Sequence, residues 1–283
     1  MSLGPATTIA RLREQVGDLV SAHRSARDLR AFRRYADDPI GFVRRVLKGE
    51  PWARQEAIAA LVRDHPLVAV RSCNSAGKDW IAAALSLWWV YARQGLVLLT
   101  GPTQRQVVEI LMQGEVRRAF ARAEDLPGEL YQSALRVPGA AHAGILAFTS
   151  SEASRMTGHH APRVLAILTE AQACEDFAYE GLLACATGDG DRVLAVGNPL
   201  APTGRFYAVQ RPGTGWVSLR IAADEHPNVV HDDPDRIPGG VTRAFVGPRT
   251  RSTTSGSSST GGRRAPSPPT RWRATWRSGS GTG

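Results

Sequence analysis

Lysine is almost missing from this chain. Of 35 basic residues only Lys48 and Lys78 are lysines, and the other 33 are arginines. Cysteine is nearly as scarce. Cys73, Cys174 and Cys185 cannot all pair within one chain, so no disulfide framework of the kind that staples small secreted domains is present. Long apolar runs are also lacking. The longest, Trp80 to Ala92, is broken by Ser86 and is shorter than the roughly 20 residues a membrane-spanning helix needs. The first twenty residues lack the apolar core of a signal peptide. These absences exclude a disulfide-stapled fold and predict a cytosolic protein with no membrane partner.

Acidic residues are absent after Asp235, and this distorts the net charge of +9. Nine arginines and no acid lie between Arg236 and Gly283, so residues 1–235 balance 26 basic against 26 acidic groups. Whole-chain charge is therefore no footprint of a nucleic-acid partner. From Gly247 onward there is also no Leu, Ile, Val, Met, Phe or Tyr. Such a segment cannot bury enough apolar surface to offset chain entropy, and it is predicted to be disordered. Two accounts of it stand. One is a basic linker touching phosphates weakly. The other, preferred, is a frameshift near residue 245, because arginine-rich coding sequence suggests GC-rich DNA, which read out of frame gives Arg, Gly, Pro, Ser, Thr and Trp.

What remains is a chain of 283 residues, 42% hydrophobic, long enough for one large domain or two small ones. Apolar residues near helical spacing predict a helix over 9–36, and Asp37-Asp38-Pro39 a stop and restart. A further helix is predicted over Trp52 to Val62. Short aliphatic strands are predicted at 67–70, 96–99, 144–149, 164–168 and 193–196, and the helices at 79–92 and about 104–121 alternate with them. Alternation of this kind predicts a mostly parallel α/β sheet. Trp88 and Trp89 fall on an apolar helix and read as core. Neither His159-His160 nor Cys174 with Cys185 fits a zinc-ligand spacing.

The segment Asn74-Ser75-Ala76-Gly77-Lys78 lies between the first strand and the helix that follows it. A phosphate loop needs backbone amides turned to the anion at a helix N-terminus, a glycine for the turn and a lysine for the β- and γ-phosphates. Gly77 and Lys78 meet those needs. Lysine stands here in a chain that otherwise uses arginine, whose broad planar head does not replace a compact ammonium. Two positions depart from the usual pattern: Ser72 stands for the first glycine, and Asp79 for the hydroxyl that follows the lysine. A plain helix N-terminus with Asp79 favoured by the dipole is the bland alternative.

The strand Val164 to Leu168 ends in Thr169-Glu170-Ala171-Gln172. A Walker B strand delivers an aspartate to magnesium and then a glutamate to water. Glu170 is in place for the water, but Thr169 holds the aspartate position. The two departures complement each other: Asp79 and Thr169 would keep one carboxylate and one hydroxyl on Mg2+, a reciprocal exchange. The alternative is that both are losses and the ATPase is weak or dead.

The order of these elements resembles the ATPase domain of phage large terminase subunits. The resemblance runs from about Asp38 to Asn228. It includes Pro51-Trp52-Ala53-Arg54-Gln55, the lysine loop, Thr100-Gly101-Pro102-Thr103 with Gln106, Gly158-His159, Thr169-Glu170-Ala171-Gln172, Gly197-Asn198-Pro199 with Gly204-Arg205-Phe206-Tyr207, and His226-Pro227-Asn228. It implies a P-loop NTPase fold of the RecA/ASCE type: a helical region at 1–45, an ATPase domain at 46–235 and a low-complexity tail at 236–283. It implies ATP and Mg2+ as ligands, with Gln55 on adenine and Asn74 to Asp79 on the phosphates. Asn198 would sense hydrolysis, although Gly-Asn-Pro is also good turn chemistry. Arg155 would be an arginine finger, with Arg71 competing. Implied partners are double-stranded DNA, a portal protein, a small terminase subunit and copies of the chain in a ring, in the cytoplasm of a bacterial host and transiently on the procapsid. The family's usual nuclease domain is not expected here. The acidic cluster Asp224, Glu225, Asp232, Asp233 and Asp235 reads as a solvated loop. A helicase-like ATPase, an inactive prophage remnant and a basic DNA-binding protein acting through its tail are the other readings.

Overall fold

The computed structural model describes residues 29–151 and 161–247. Most of the expected 9–36 helix, Arg155, Gly158-His159-His160 and the segment 248–283 lie outside the described residues.

Eight strands form one sheet in the order β3-β4-β5-β2-β6-β7-β1-β8. The strands are β1 (Leu67–Ser72), β2 (Leu96–Gly101), β3 (Glu129–Leu130), β4 (Ala134–Arg136), β5 (Gly144–Thr149), β6 (Val164–Leu168), β7 (Arg192–Gly197) and β8 (Val217–Ile221). From β5 to β8 all neighbours are parallel, and the β3–β4 hairpin adds an antiparallel edge. The mostly parallel sheet expected from the aliphatic runs is what the chain forms. β7 lies between β1 and β6, with Arg71 opposite Gly197 and Leu168 opposite Ala195. The C-terminal ends of these three strands therefore stand side by side, where α/β sheets place their ligands.

The central strands are buried on both faces, which is why they read as continuous aliphatic runs. Alternate residues serve two cores. Val68, Val70, Leu99, Ile167 and Val196 face the larger one, against α1 (Pro39–Arg45), α2 (Ala53–Asp64) and α3 (Lys78–Trp88). Leu98, Ala166, Leu168 and Ala195 face the smaller, against α5 (Asp176–Cys185), while α4 (Arg117–Arg122) lies on the first side. Trp88 and Trp89 are fully buried, as expected of core residues, and Trp88 Nε1 donates to the Tyr35 carbonyl at 2.8 Å. Asp38 starts α1 by accepting from the Gly41 amide at 2.8 Å, with Pro39 in the first turn.

Two segments of helix are wider than expected. α3 continues as a π-helical stretch, Trp89–Arg93, and a second one, Arg105–Val116, leads into α4. Residues 236–247, grouped with the tail by composition, pack onto the body. The Asn228 side chain donates to the carbonyls of Pro234 and Ile237 and accepts from the Ile237 amide, each at 2.9 Å. Val241 is buried, and a short helix, Arg243–Val246, follows. Among the described residues no helix is long and apolar enough to cross a membrane.

Candidate nucleotide site

β1 ends at Ser72 and α3 begins at Lys78; the five residues between them form a tight bend. Gly77 takes a left-handed conformation at φ +74°, as a sharp turn into a helix requires. Ser75 does the same at φ +55°, a strained choice for a residue with a Cβ. The bend is anchored at its start, where the Cys73 amide donates to the Ile221 carbonyl at 3.1 Å. Ser72, standing where a glycine was expected, is buried, and its hydroxyl donates to the Cys73 carbonyl at 3.0 Å.

The strand ends bring together side chains far apart in sequence. Lys78 Nζ donates to Asn198 Oδ1 at 2.8 Å, and Asn198 Nδ2 donates to Asn74 Oδ1 at 2.6 Å. Thr169 Oγ1 donates to Asp79 Oδ1 at 2.9 Å, so the two residues read as an exchanged pair do face each other. Glu170 follows Thr169 in a left-handed conformation at φ +47°. Its Oε2 accepts from Gln172 Nε2 at 2.7 Å. Burial raises the pKa of Asp79 above the usual carboxylate range, against the opposing pull of the Thr169 hydroxyl and the Lys78 charge. Burial also pushes the Cys174 thiol up to about 12 and raises that of Cys73, so neither is a ready thiolate.

A cavity of about 610 Å³ opens in front of the bend. Ser75 to Asp79 form its inner wall, and Gln55, Trp52 and His226 one side. Gln55 is buried and braces the bend: its Nε2 donates to the Gly77 carbonyl at 3.2 Å and its Oε1 accepts from the Trp52 amide at 3.1 Å. The outer wall was not legible in sequence. It carries Lys48, Arg118, Arg122 and Arg236, with residues 237–240 beside them. With Lys78, five cations against three carboxylates (Glu50, Asp79, Glu115) line the cavity, whereas residues 1–235 taken together are formally neutral. Such an excess suits an anion. Trp52 meets the His226 ring edge-on at 5.4 Å between centroids, and burial lowers the pKa of His226. Arg71 lies elsewhere. Its Nη1 donates to Gln210 Oε1 at 2.9 Å and Ser218 Oγ at 2.8 Å on the β8 side.

No protein-family model and no curated protein sequence matches this chain. Solved structures do match. The ATPase domain of the large terminase from Thermus phage P74-26 is 18% identical with a TM-score of 0.51, over 71% of this chain and 94% of that domain. The large terminase of another thermophilic bacteriophage is 14% identical with a TM-score of 0.50, over 60% of this chain and 46% of its own length. That second terminase has also been solved in complex with ADP, and the complex matches at 12% identity and a TM-score of 0.50, over 66% of this chain and 49% of the other. The chain thus spans about half the length of the second terminase. It has a P-loop ATPase fold. More particularly, it shares the fold of phage large terminase ATPase domains.

Proposed function

We propose that the chain is the ATP-hydrolysing motor domain of a viral DNA-packaging terminase large subunit. The observation that carries this reading is the convergence of Lys78, Asp79, Thr169, Glu170 and Asn198 at the ends of β1, β6 and β7, on the shared terminase ATPase fold. Lys78 would grip the β- and γ-phosphates, and the bend from Asn74 to Gly77 would cradle them. Glu170 would orient a water for in-line attack on the γ-phosphorus, the bond to the ADP oxygen breaking as the bond to water forms. Asn198, bonded to Lys78 before phosphate arrives, would register the change.

The residues present fit a magnesium ion. Asp79 and Thr169 supply one carboxylate and one hydroxyl at 2.9 Å from each other, and this hard ion takes its remaining oxygens from water and substrate phosphates. When bound, the ion would neutralise charge on the phosphates. Double-stranded DNA, a portal ring, a small terminase subunit and further copies of the chain would be the partners, in the bacterial cytoplasm and on the procapsid.

Magnesium-dependent ATP hydrolysis, with and without double-stranded DNA, tests the reading in the wild type, Asp79→Ser, Thr169→Asp and the double variant. We expect DNA to stimulate turnover, each single variant to lose it, and the double to recover it. A double variant no better than the singles removes the exchange. The departure of both magnesium positions from the usual pattern favours a second reading, an inactive remnant that binds nucleotide weakly. Thermal stabilisation by ATP without turnover selects that one.

A further inference from the structure

We propose that Gln172 is a positioning residue that ties the Glu170 carboxylate to the lysine network, so that Glu170 responds to what Lys78 holds. The inference rests on the nucleotide-site reading above and deepens it. Both ends of the Gln172 carboxamide are in use. Nε2 donates to Glu170 Oε2 at 2.7 Å, and Oε1 accepts the main-chain N–H of Asn198 at 3.0 Å. Asn198 in turn accepts from Lys78 Nζ at 2.8 Å through its side chain. A continuous run of hydrogen bonds thus leads from Lys78 through Asn198 and Gln172 to Glu170.

Two further features support a positioning role. The left-handed backbone at Glu170 is a strained conformation for a residue with a side chain, as is common where a group must be held in one place. The other feature is Gly197 at the end of β7. A Cβ there would lie 2.2 Å from Gln172 Oε1 and 3.2 Å from the main-chain nitrogens of Ala171 and Gln172. Glycine at this position is what lets the carboxamide lie against the strand end. A phosphate oxygen is a stronger acceptor for an ammonium than an amide carbonyl, so it competes with Asn198 for Lys78. Release of Asn198 is then felt at Glu170 through Gln172.

The test uses the full chain and three variants. Gln172→Met removes both links at similar size. Gln172→Glu keeps an acceptor for the Asn198 amide but sets an anion against Glu170. Gly197→Ala displaces the carboxamide without altering a polar side chain. All three are expected to lower kcat for ATP by about tenfold or more, the cost of a displaced reacting group. The Kd for ADP, measured by displacement of a fluorescent analogue, stays within about twofold, because the lysine grip is untouched. Wild-type kcat in Gln172→Met or Gln172→Glu overturns the link and leaves the nucleotide site standing. So does a parallel loss of kcat and ADP affinity, which marks a merely structural role. A wild-type chain without turnover that depends on Lys78 overturns both.

Discussion

Lys78 and Asp79 on the inner wall of the cavity, and Thr169, Glu170 and Asn198 in the hydrogen-bond network joined to them, each make a side-chain hydrogen bond of 2.9 Å or less, and Lys78 and Thr169 are buried. On the outer wall the four cations Lys48, Arg118, Arg122 and Arg236 are all exposed. In the first group Thr169, Glu170 and Asn198 follow the ends of β6 and β7 and Lys78 and Asp79 open α3; the second is held by a helix and two loops. The first group is preorganised by these bonds, so a charge arriving there meets dipoles already oriented. The second group can attract an anion, but its charges are exposed and salt screens them. The difference teaches where chemistry and where capture would reside.

The comparison can be broken at several points. The largest effect is expected at Glu170. Glu170→Gln lowers kcat by about a hundredfold or more with little change in ADP affinity, since it removes the group that handles water and leaves the phosphate grip alone; steady-state kinetics and an ADP titration check this. A smaller loss is expected at Gln55, whose carboxamide braces the bend. Gln55→Ala weakens ADP binding by up to about tenfold, the worth of one or two hydrogen bonds. Arg118→Ala and Arg236→Ala raise KM for ATP by about twofold to fivefold at low salt, as exposed charges do, and the difference from wild type fades at about 0.5 M salt. If an outer-wall arginine proves as costly as Glu170, the division between the walls fails.

The smallest effect is expected in stability. Burial lowers the pKa of His226, so the folded state holds it neutral where the unfolded chain protonates it. Its contribution is therefore full above the ordinary histidine value and is lost as pH falls through the lowered one. The thermal midpoint of the wild type should fall on acidification below about pH 6.5, the ordinary histidine value. His226→Asn, which keeps an acceptor for the Asn228 amide, should flatten that fall. An unchanged slope in a pH series of melting curves contradicts the assignment.

The strands that matter most for the site were legible because they are buried on both faces and so carry uninterrupted aliphatic runs. β8 was not: at Val217, Leu219 and Ile221 apolar residues alternate with Ser218 and Arg220, as befits a half-exposed edge. The β3–β4 hairpin is too short to leave a period. The bend, Asp79 and Thr169 could be read because each lies in a short local motif, between a strand and a helix or directly after a strand. Lys78 and Asn198 are 120 residues apart, and only the strand order brings them into contact. The outer wall escaped for a different reason. In a chain with 33 arginines, Arg118, Arg122 and Arg236 carry no signal until the fold sets them around one cavity. The seating of residues 236–247 escaped likewise, because it depends on the buried Asn228 amide rather than on their own composition.

The most direct measurement is the rate at which the purified chain hydrolyses ATP, taken beside Lys78→Ala. The account predicts steady turnover in the wild type and a loss of about a hundredfold or more in the variant, as for removal of a preorganised charge at a transferring phosphoryl group. Equal rates in the two proteins would contradict it.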